Sequence, residues 1–141
     1  MANKINSFED LEAWQEAHTF AVAIYKATNN FPANEQFGLT SQHRRAAVSI
    51  SSNIAEGFSR HSIKEKIQFY SVAKGSVVES QSQLLLARDV GYLDIDKYES
   101  LANRAVRVHK LVNGLTSSVK SWSQPNTKYE QPIALSNSEK L

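Results

Sequence analysis

Four histidines are the residues of this chain best suited to metal binding or proton transfer: His18, His43, His61 and His109. A di-iron or di-manganese carboxylate site in a helical bundle needs paired Glu-x-x-His ligands and further inward carboxylates. The chain contains no Glu-x-x-His and no His-x-x-x-His pair, so the spacing disfavours such a site. His18 and His43 fall on apolar helix seams, where we expect a hydrogen-bonded core or interface histidine rather than a ligand.

Covalent and phosphate chemistry also lack their usual residues. The chain has no cysteine, which excludes disulfides, thiolate ligands and cysteine nucleophiles and is compatible with a reducing compartment. No Gly-rich phosphate loop, Walker pattern or nucleophile elbow occurs in the sequence. We therefore predict a protein without enzyme activity, without a cofactor and without a metal site.

Two glutamates, Glu56 and Glu79, are the remaining candidates for acid–base chemistry. A general acid and base need a pocket and tuned pKa values, and the sequence indicates neither. We favour a structural role, in which a hydrogen-bonded polar network lies where the second and third helices meet. Its candidate members are Arg45, Asn53, Glu56 and Glu79. Asn53 also suits a buried amide that fixes helix register.

The elements that would position these residues are helices. Apolar spacings of three and four predict helices at about residues 8–28, 40–57, 63–88 and 96–122. The fourth has the most regular seam: Tyr98, Leu101, Ala105, Val108, Val112, Leu115, Val119 and Trp122. A sustained 3.5-residue repeat with short connections predicts an all-α, antiparallel up-down-up-down four-helix bundle.

Local signals mark the ends of these helices. Phe31-Pro32 stops the first, since proline disfavours helical geometry in the residue before it. Gly57 is expected to end the second by adopting a left-handed conformation. The expected N-caps are Ser7, Thr40 or Ser41, Ser62 in a capping box with Glu65, and Asp94 or Asp96.

The first helix carries two apolar stripes, more than one bundle core needs. One contains Leu11, Trp14, His18, Ala21 and Tyr25, and the other contains Ala13, Ala17, Phe20, Ile24 and Ala27. Two interpretations remain open. Either both stripes lie in a wide core, or the outer stripe is buried by another subunit.

The chain length of 141 residues suits one domain, with the bundle at residues 1–122. Residues 123–141 contain two prolines and no periodicity, so we predict an irregular or disordered tail. No apolar run approaches the roughly 20 residues that span a bilayer, and the N-terminus does not resemble a signal peptide. We therefore expect a cytoplasmic protein that does not contact membranes.

Charge is unevenly distributed, although the net charge is only +2. Residues 1–35 carry −3, residues 36–88 carry +4 and residues 89–141 carry +1. A basic segment suits either a solvated helix surface or contact with nucleic acid.

Several spaced segments resemble one known family, the 23S ribosomal RNA intervening-sequence proteins. The strongest is residues 42–57, QHRRAAVSISSNIAEG, accompanied by residues 8–17, FEDLEAWQEA, and residues 73–79, AKGSVVE. Phe31-Pro32, Glu35 and Gly38-Leu39 resemble the first connection of the family. His43 stands where the family pattern leads us to expect an aliphatic residue.

The resemblance implies a four-helix bundle that assembles into a ring-like homopentamer. It also implies association with RNA or DNA and with a nucleic-acid-processing protein, because a related accessory protein of diversity-generating retroelements behaves in this way. Ring symmetry would repeat the basic middle segment around an axis and make a weak patch multivalent.

Two hypotheses for function follow, and the sequence leaves both open. In the first, basic side chains contact phosphates; the candidates are Arg44, Arg60, Lys64, Lys66, Lys74, Arg104, Arg107 and Lys110. In the second, the assembly is a structural scaffold or protein-interaction module, and these cations are solvated surface. Basic residues confined to one face favour the first hypothesis, and an exposed apolar groove favours the second.

Overall fold

Four α-helices form the frame of the computed structural model, which describes residues 4–122. They are α1 (Glu12–Thr28), α2 (Leu39–Ser59), α3 (Ile63–Asp89) and α4 (Ile95–Trp122). Short 3-10 turns at Phe8–Asp10 and Ala33–Glu35 precede α1 and α2. The tail predicted at residues 123–141 lies outside the described residues.

Consecutive helices are antiparallel neighbours, and α4 returns to contact α1, so the described residues have the arrangement of a four-helix bundle. The direction is clear at the α2–α3 pair, where Arg45 contacts Glu79 and Ser49 contacts Ser76. As one number rises the other falls, which is the signature of an antiparallel pair. The predicted all-α class is confirmed.

The first helix begins at Glu12 rather than near Phe8. Phe8–Asp10 form a 3-10 turn, and Leu11 has an extended backbone with φ −76° and ψ 126°. The Asp10 carboxylate accepts the Ser7 amide at 3.2 Å, which satisfies the turn locally. This separate cap explains the interruption that apolar periodicity alone did not indicate.

The second helix begins and ends differently from the prediction. Gly38 is its N-cap, and the Glu35 carboxylate accepts the Leu39 amide at 3.1 Å, so neither Thr40 nor Ser41 is the cap. Gly57 does not adopt a left-handed conformation, because α2 continues to Ser59 and Gly91 is the glycine with positive φ in the described residues. Gly57 serves close packing instead, since a Cβ built there would lie 2.7 Å from the Tyr70 ring.

The N-caps of the last two helices are predicted residues, although of the capping box expected at α3 the described contacts contain only the bond to the Ser62 hydroxyl. The Ser62 hydroxyl accepts the Glu65 amide at 3.0 Å at the start of α3. The Asp94 carboxylate accepts the Lys97 amide at 2.8 Å at the start of α4. Each bond satisfies a backbone donor that the first helical turn leaves unpaired.

One hydrophobic core joins all four helices. Its largest fully buried apolar side chains are Phe20, Ile24, Ile50, Ile54, Tyr70, Val77, Leu84, Val108 and Val112. On α1 the buried stripe is the one containing Ala13, Ala17 and Phe20, whereas His18 and Tyr25 of the other stripe are exposed. Of the helices within residues 4–122, none is long and apolar enough to cross a bilayer.

Candidate functional site

Three of the four candidate phosphate-binding arginines are held within the chain, and Arg44 makes the most contacts. Arg44 donates through Nε to the Thr28 hydroxyl at 2.8 Å and through Nη2 to the Asn29 side-chain oxygen at 2.9 Å. Its guanidinium lies 4.7 Å over the Tyr25 ring. These contacts tie α2 to the end of α1 and engage two of the three guanidinium nitrogens, Nε and Nη2.

Arg60, Lys66 and Arg107 are engaged in the same way. Arg60 pairs with Glu56 at 3.0 Å. Lys66 donates to the Phe58 carbonyl at 2.7 Å and to the Gly57 carbonyl at 3.4 Å, so it caps the C-terminus of α2. Burial lowers the pKa of Lys66. Arg107 pairs with Glu12 at 2.7 Å and with Glu16 at 3.1 Å, which links α4 to α1.

The other four candidates are exposed and form no ion pair or hydrogen bond within residues 4–122: Lys64, Lys74, Arg104 and Lys110. Arg88 of α3 stacks 4.7 Å over Tyr98 of α4. Because α3 and α4 are antiparallel, residues that are equally far from this contact lie at the same height along the bundle. Lys74 is therefore level with residue 112 of α4, within one helical turn of Lys110. Lys74 and Lys110 therefore lie at similar heights on the neighbouring helices α3 and α4, with Arg104 further along α4.

Three of the four proposed polar-network residues lie at the α2–α3 contact. Arg45 donates to Glu79 at 2.8 Å, and Gln83 donates to the same carboxylate at 3.3 Å. Asn53 donates to the Ser49 carbonyl at 2.8 Å, and the Ser49 hydroxyl contacts the Ser76 hydroxyl at 2.8 Å. Glu56 pairs with Arg60 in its own helix, so it stands apart from this network.

We expect Glu79→Gln to lower the free energy of unfolding by less than about 1 kcal/mol, because the Arg45–Glu79 pair is solvent-accessible. The measurement is urea denaturation of the variant and the wild-type protein. High salt should reduce the difference, since ions screen an exposed pair. A loss of several kcal/mol would mean that Glu79 is buried in the assembled protein.

His43 is the most unusual polar residue of the core. It is 1% exposed, and neither ring nitrogen has a hydrogen-bond partner. Ser80 Oγ and Gln83 Oε1, on the facing helix, are likewise buried and unpartnered. Burial lowers the pKa of His43 to about 4. His43 is therefore the core histidine that the sequence predicts, and it faces Gln83, but neither ring nitrogen makes a hydrogen bond of good geometry. His18 is exposed and stacks at 4.8 Å on Trp14.

A shallow groove lies where α2 begins and α3 ends. It has a volume of about 360 Å³ and is lined by Glu35, Leu39, Gln42, Leu86, Val90 and Tyr92. The Leu39 amide and the Tyr92 hydroxyl, which donates at 2.8 Å, lower the pKa of Glu35. Glu35 is thus an ionised helix cap. Sequence reasoning missed its contact with Tyr92, because local periodicity carries no information about a pair this far apart.

Metal ligation has no support in the described part of the chain. Within residues 4–122, no three histidine or carboxylate side chains lie close enough together to hold an ion. The described residues instead provide exposed cations, which suit binding, and a shallow groove and a buried imidazole, which belong to the packing of the helices.

The outward side of α3 is apolar to an unusual degree. Val72, Val78, Leu85 and Leu86 are each between 42% and 52% exposed. These apolar residues alternate with exposed polar ones such as Gln68, Ser71 and Ser82, so the outward side of α3 is mixed rather than polar throughout.

Comparison with known proteins agrees with this architecture. Residues 9–114 match the family described as 23S rRNA-intervening sequence protein. A solved structure from Bacteroides thetaiotaomicron, described as a protein of unknown function from the S23 ribosomal protein family, superimposes with a TM-score of 0.67 at 26% sequence identity. The match covers 74% of this chain and 97% of that one. No curated protein is significantly similar to the chain.

Proposed function

Because the chain belongs to the 23S rRNA-intervening sequence protein family, we propose that it is a non-enzymatic, homo-oligomeric bundle that associates with nucleic acid through repeated basic patches. The observation that carries the proposal is that four candidate cations on α3 and α4 are exposed and unpaired, of which Lys74, Arg104 and Lys110 lie away from the helix N-termini. A ring of five subunits, as the family resemblance implies, would present five copies of this patch.

The patch is too small to bind strongly in a single subunit. Each neutralised phosphate contributes through release of condensed counterions, so affinity depends on how many cations act together. Repetition around a ring converts successive contacts into intramolecular ones and raises the overall affinity. The ligand class is therefore RNA or DNA bound through its phosphate backbone, with little sequence preference.

The scaffold hypothesis is favoured by a different observation, the exposed apolar side of α3. That surface suits a protein contact better than a phosphate contact. It is compatible with the first proposal, since self-association is what would multiply the basic patch. A nucleic-acid-processing protein is a further partner that the same ring would recruit.

We expect Lys74→Gln/Lys110→Gln to weaken binding of structured RNA and duplex DNA alike. Each phosphate contact removed should reduce the slope of log affinity against log salt by about 0.7–0.9. The assay is fluorescence anisotropy between about 50 and 200 mM salt.

The matched control is Lys4→Gln/Lys26→Gln, which removes the same charge from exposed positions elsewhere. Equal loss in both variants would indicate a net-charge effect rather than a patch. Absence of any binding by the wild-type protein at about 50 mM salt would reject the nucleic-acid proposal.

A further inference from the structure

Two exposed apolar faces lie on α1 and α3, the diagonally opposed helices of the bundle. The α1 aromatic face contains Trp14, His18, Val22 and Tyr25. His18 stacks on Trp14, and Val22 and Tyr25 are 41% and 44% exposed. It carries bulky side chains.

The α3 outer face contains Ser71, Gly75, Val78, Ser82 and Leu85, a line with steps of four and three residues. Three of its five residues are small. A Cβ built on Gly75 meets nothing within 4 Å, so nothing within the described chain requires glycine there. Between residues 67 and 87, α3 carries only two charged residues, Lys74 and Glu79.

We propose that the α1 aromatic face of one copy of this chain packs on the α3 outer face of the next, parallel and in one register. This inference rests on the self-association in the proposed function and identifies its contact. The register pairs Trp14 with Ser71, His18 with Gly75 and Tyr25 with Ser82, whereas Ala21, at the height of Val78, is 8% exposed and belongs to the core of its own subunit. A large side chain faces a small one at each of the three paired positions, which close helix packing requires.

Contacts within one subunit indicate which residues of α1 and α3 lie at the same height along the bundle axis. Two chains of contacts give this comparison, one through α2 and one through α4. Arg44 reaches Tyr25 on α1 while its neighbour Arg45 reaches Glu79 on α3, which places Glu79 near the height of Tyr25. This first route runs through α2.

The second route runs through α4. Arg107 reaches Glu16 on α1. The stack of Arg88 on Tyr98 places Arg107 opposite Glu79 on α3. By this route Glu79 lies near the height of Glu16. The proposed register sets Glu79 beside Val22, within the range of the two estimates, so the heights are compatible with neighbouring subunits related by a rotation without a shift along the helix axis.

A contact of this kind closes on itself. The two faces differ, so the interface is heterologous, and a rotation without translation produces a ring rather than a filament. Because α1 and α3 point in the same direction, the rotation axis runs along the bundle.

Charge complementarity supports a second copy as the occupant. Glu9, just before α1, is exposed, and its carboxylate has no partner within residues 4–122. In the same register Glu9, which lies beyond the N-terminus of α1, comes near the N-terminal end of the neighbour's α3, where Lys64 is unpaired. The acidic N-terminal segment thus meets the basic segment of the adjacent subunit.

Gly75→Gln tests the contact without threatening the fold, because the site is open and glutamine favours helix. We expect loss of the oligomer by light scattering, with an equal or higher melting temperature. Gly114→Gln is the matched control, since Gly114 is also helical and open, and it should keep the oligomer. An unchanged oligomer in Gly75→Gln, or equal loss in both variants, would overturn the proposal.

Cysteine cross-linking identifies the pairing, and the cysteine-free chain needs no background substitutions. Under mild oxidation His18→Cys/Gly75→Cys should give a ladder of covalent multimers, and each single variant should stay monomeric on denaturing gels. Covalent dimers from Gly75→Cys alone would indicate a two-fold contact and overturn the proposal.

The failures of the two proposals are distinguishable. An oligomer by light scattering that gives no ladder contradicts this contact alone, whereas a monomeric wild-type protein contradicts the self-association in the proposed function as well.

Discussion

Gly57→Ala is expected to destabilise the bundle by about 1–3 kcal/mol, although alanine has the higher helix propensity. A Cβ at this position would lie 2.7 and 2.9 Å from two carbons of the Tyr70 ring and 3.0 Å from Phe69 Cβ. Tyr70 is 2% exposed and packed between helices, so its ring has little space to move. Gly57→Val should cost more, since its added methyl groups enter the same contact.

Gly114→Ala is the control for this experiment. Gly114 is also helical, but a Cβ there meets nothing within 4 Å. It should stabilise the protein by up to about 1 kcal/mol, which is the intrinsic preference for alanine over glycine in a helix. Thermal and urea denaturation of both variants provide the measurement. Equal stabilisation in the two would mean that Tyr70 moves aside freely.

The case of Gly57 illustrates which features the sequence could predict. The order and approximate extent of the helices follow from apolar spacing, because each helix must bury a stripe regardless of its neighbours. A glycine near a helix end has two explanations, a left-handed turn or close packing. Only the position of Tyr70, thirteen residues later, distinguishes them.

The basic candidates illustrate a different limit. Periodicity places Arg44, Lys66 and Lys74 on helices, but it does not determine which hydrogen-bond acceptors each side chain finds. Arg44 and Lys66 are held by oxygens at the ends of α1 and α2, whereas Lys74 is unpaired. That difference depends on which helix end lies nearby, and helix ends meet only after the bundle has formed.

At His43 the sequence predicted neither the packing nor the hydrogen-bond partners in full, and this residue has a large expected effect on the pH dependence of stability. The family pattern indicated an aliphatic residue at this position, and the structure encloses the imidazole almost completely. Helix periodicity therefore predicted its burial correctly, but not the absence of partners for its two nitrogens. A buried imidazole without partners is tolerated only in its neutral form.

We expect the free energy of unfolding to fall by about 3 kcal/mol as the pH is lowered from about 7 to 4. The pKa of His43 is about 4 in the folded chain and 6.5 at its model value. Between pH 6.5 and about 4, His43 is therefore mostly protonated in the unfolded chain and mostly neutral in the folded chain. Stability is fully present above the unfolded pKa and is lost as the pH falls towards the folded pKa.

His43→Leu should remove this dependence and raise stability at acidic pH, because leucine fills the site without orphaned polar atoms. His61→Leu is the control, since His61 is exposed in the turn between α2 and α3, and its curve should parallel that of the wild-type protein. Urea denaturation at several pH values measures all three proteins.

The paired carboxylates Glu35 and Asp89 have lowered pKa values, so their contribution appears at lower pH and cancels in the difference between wild type and His43→Leu. A constant difference between those two curves from pH 7 to 4.5 would show that the imidazole is solvated or paired in solution. The α2–α3 contact would then contain water that reaches His43, Ser80 and Gln83.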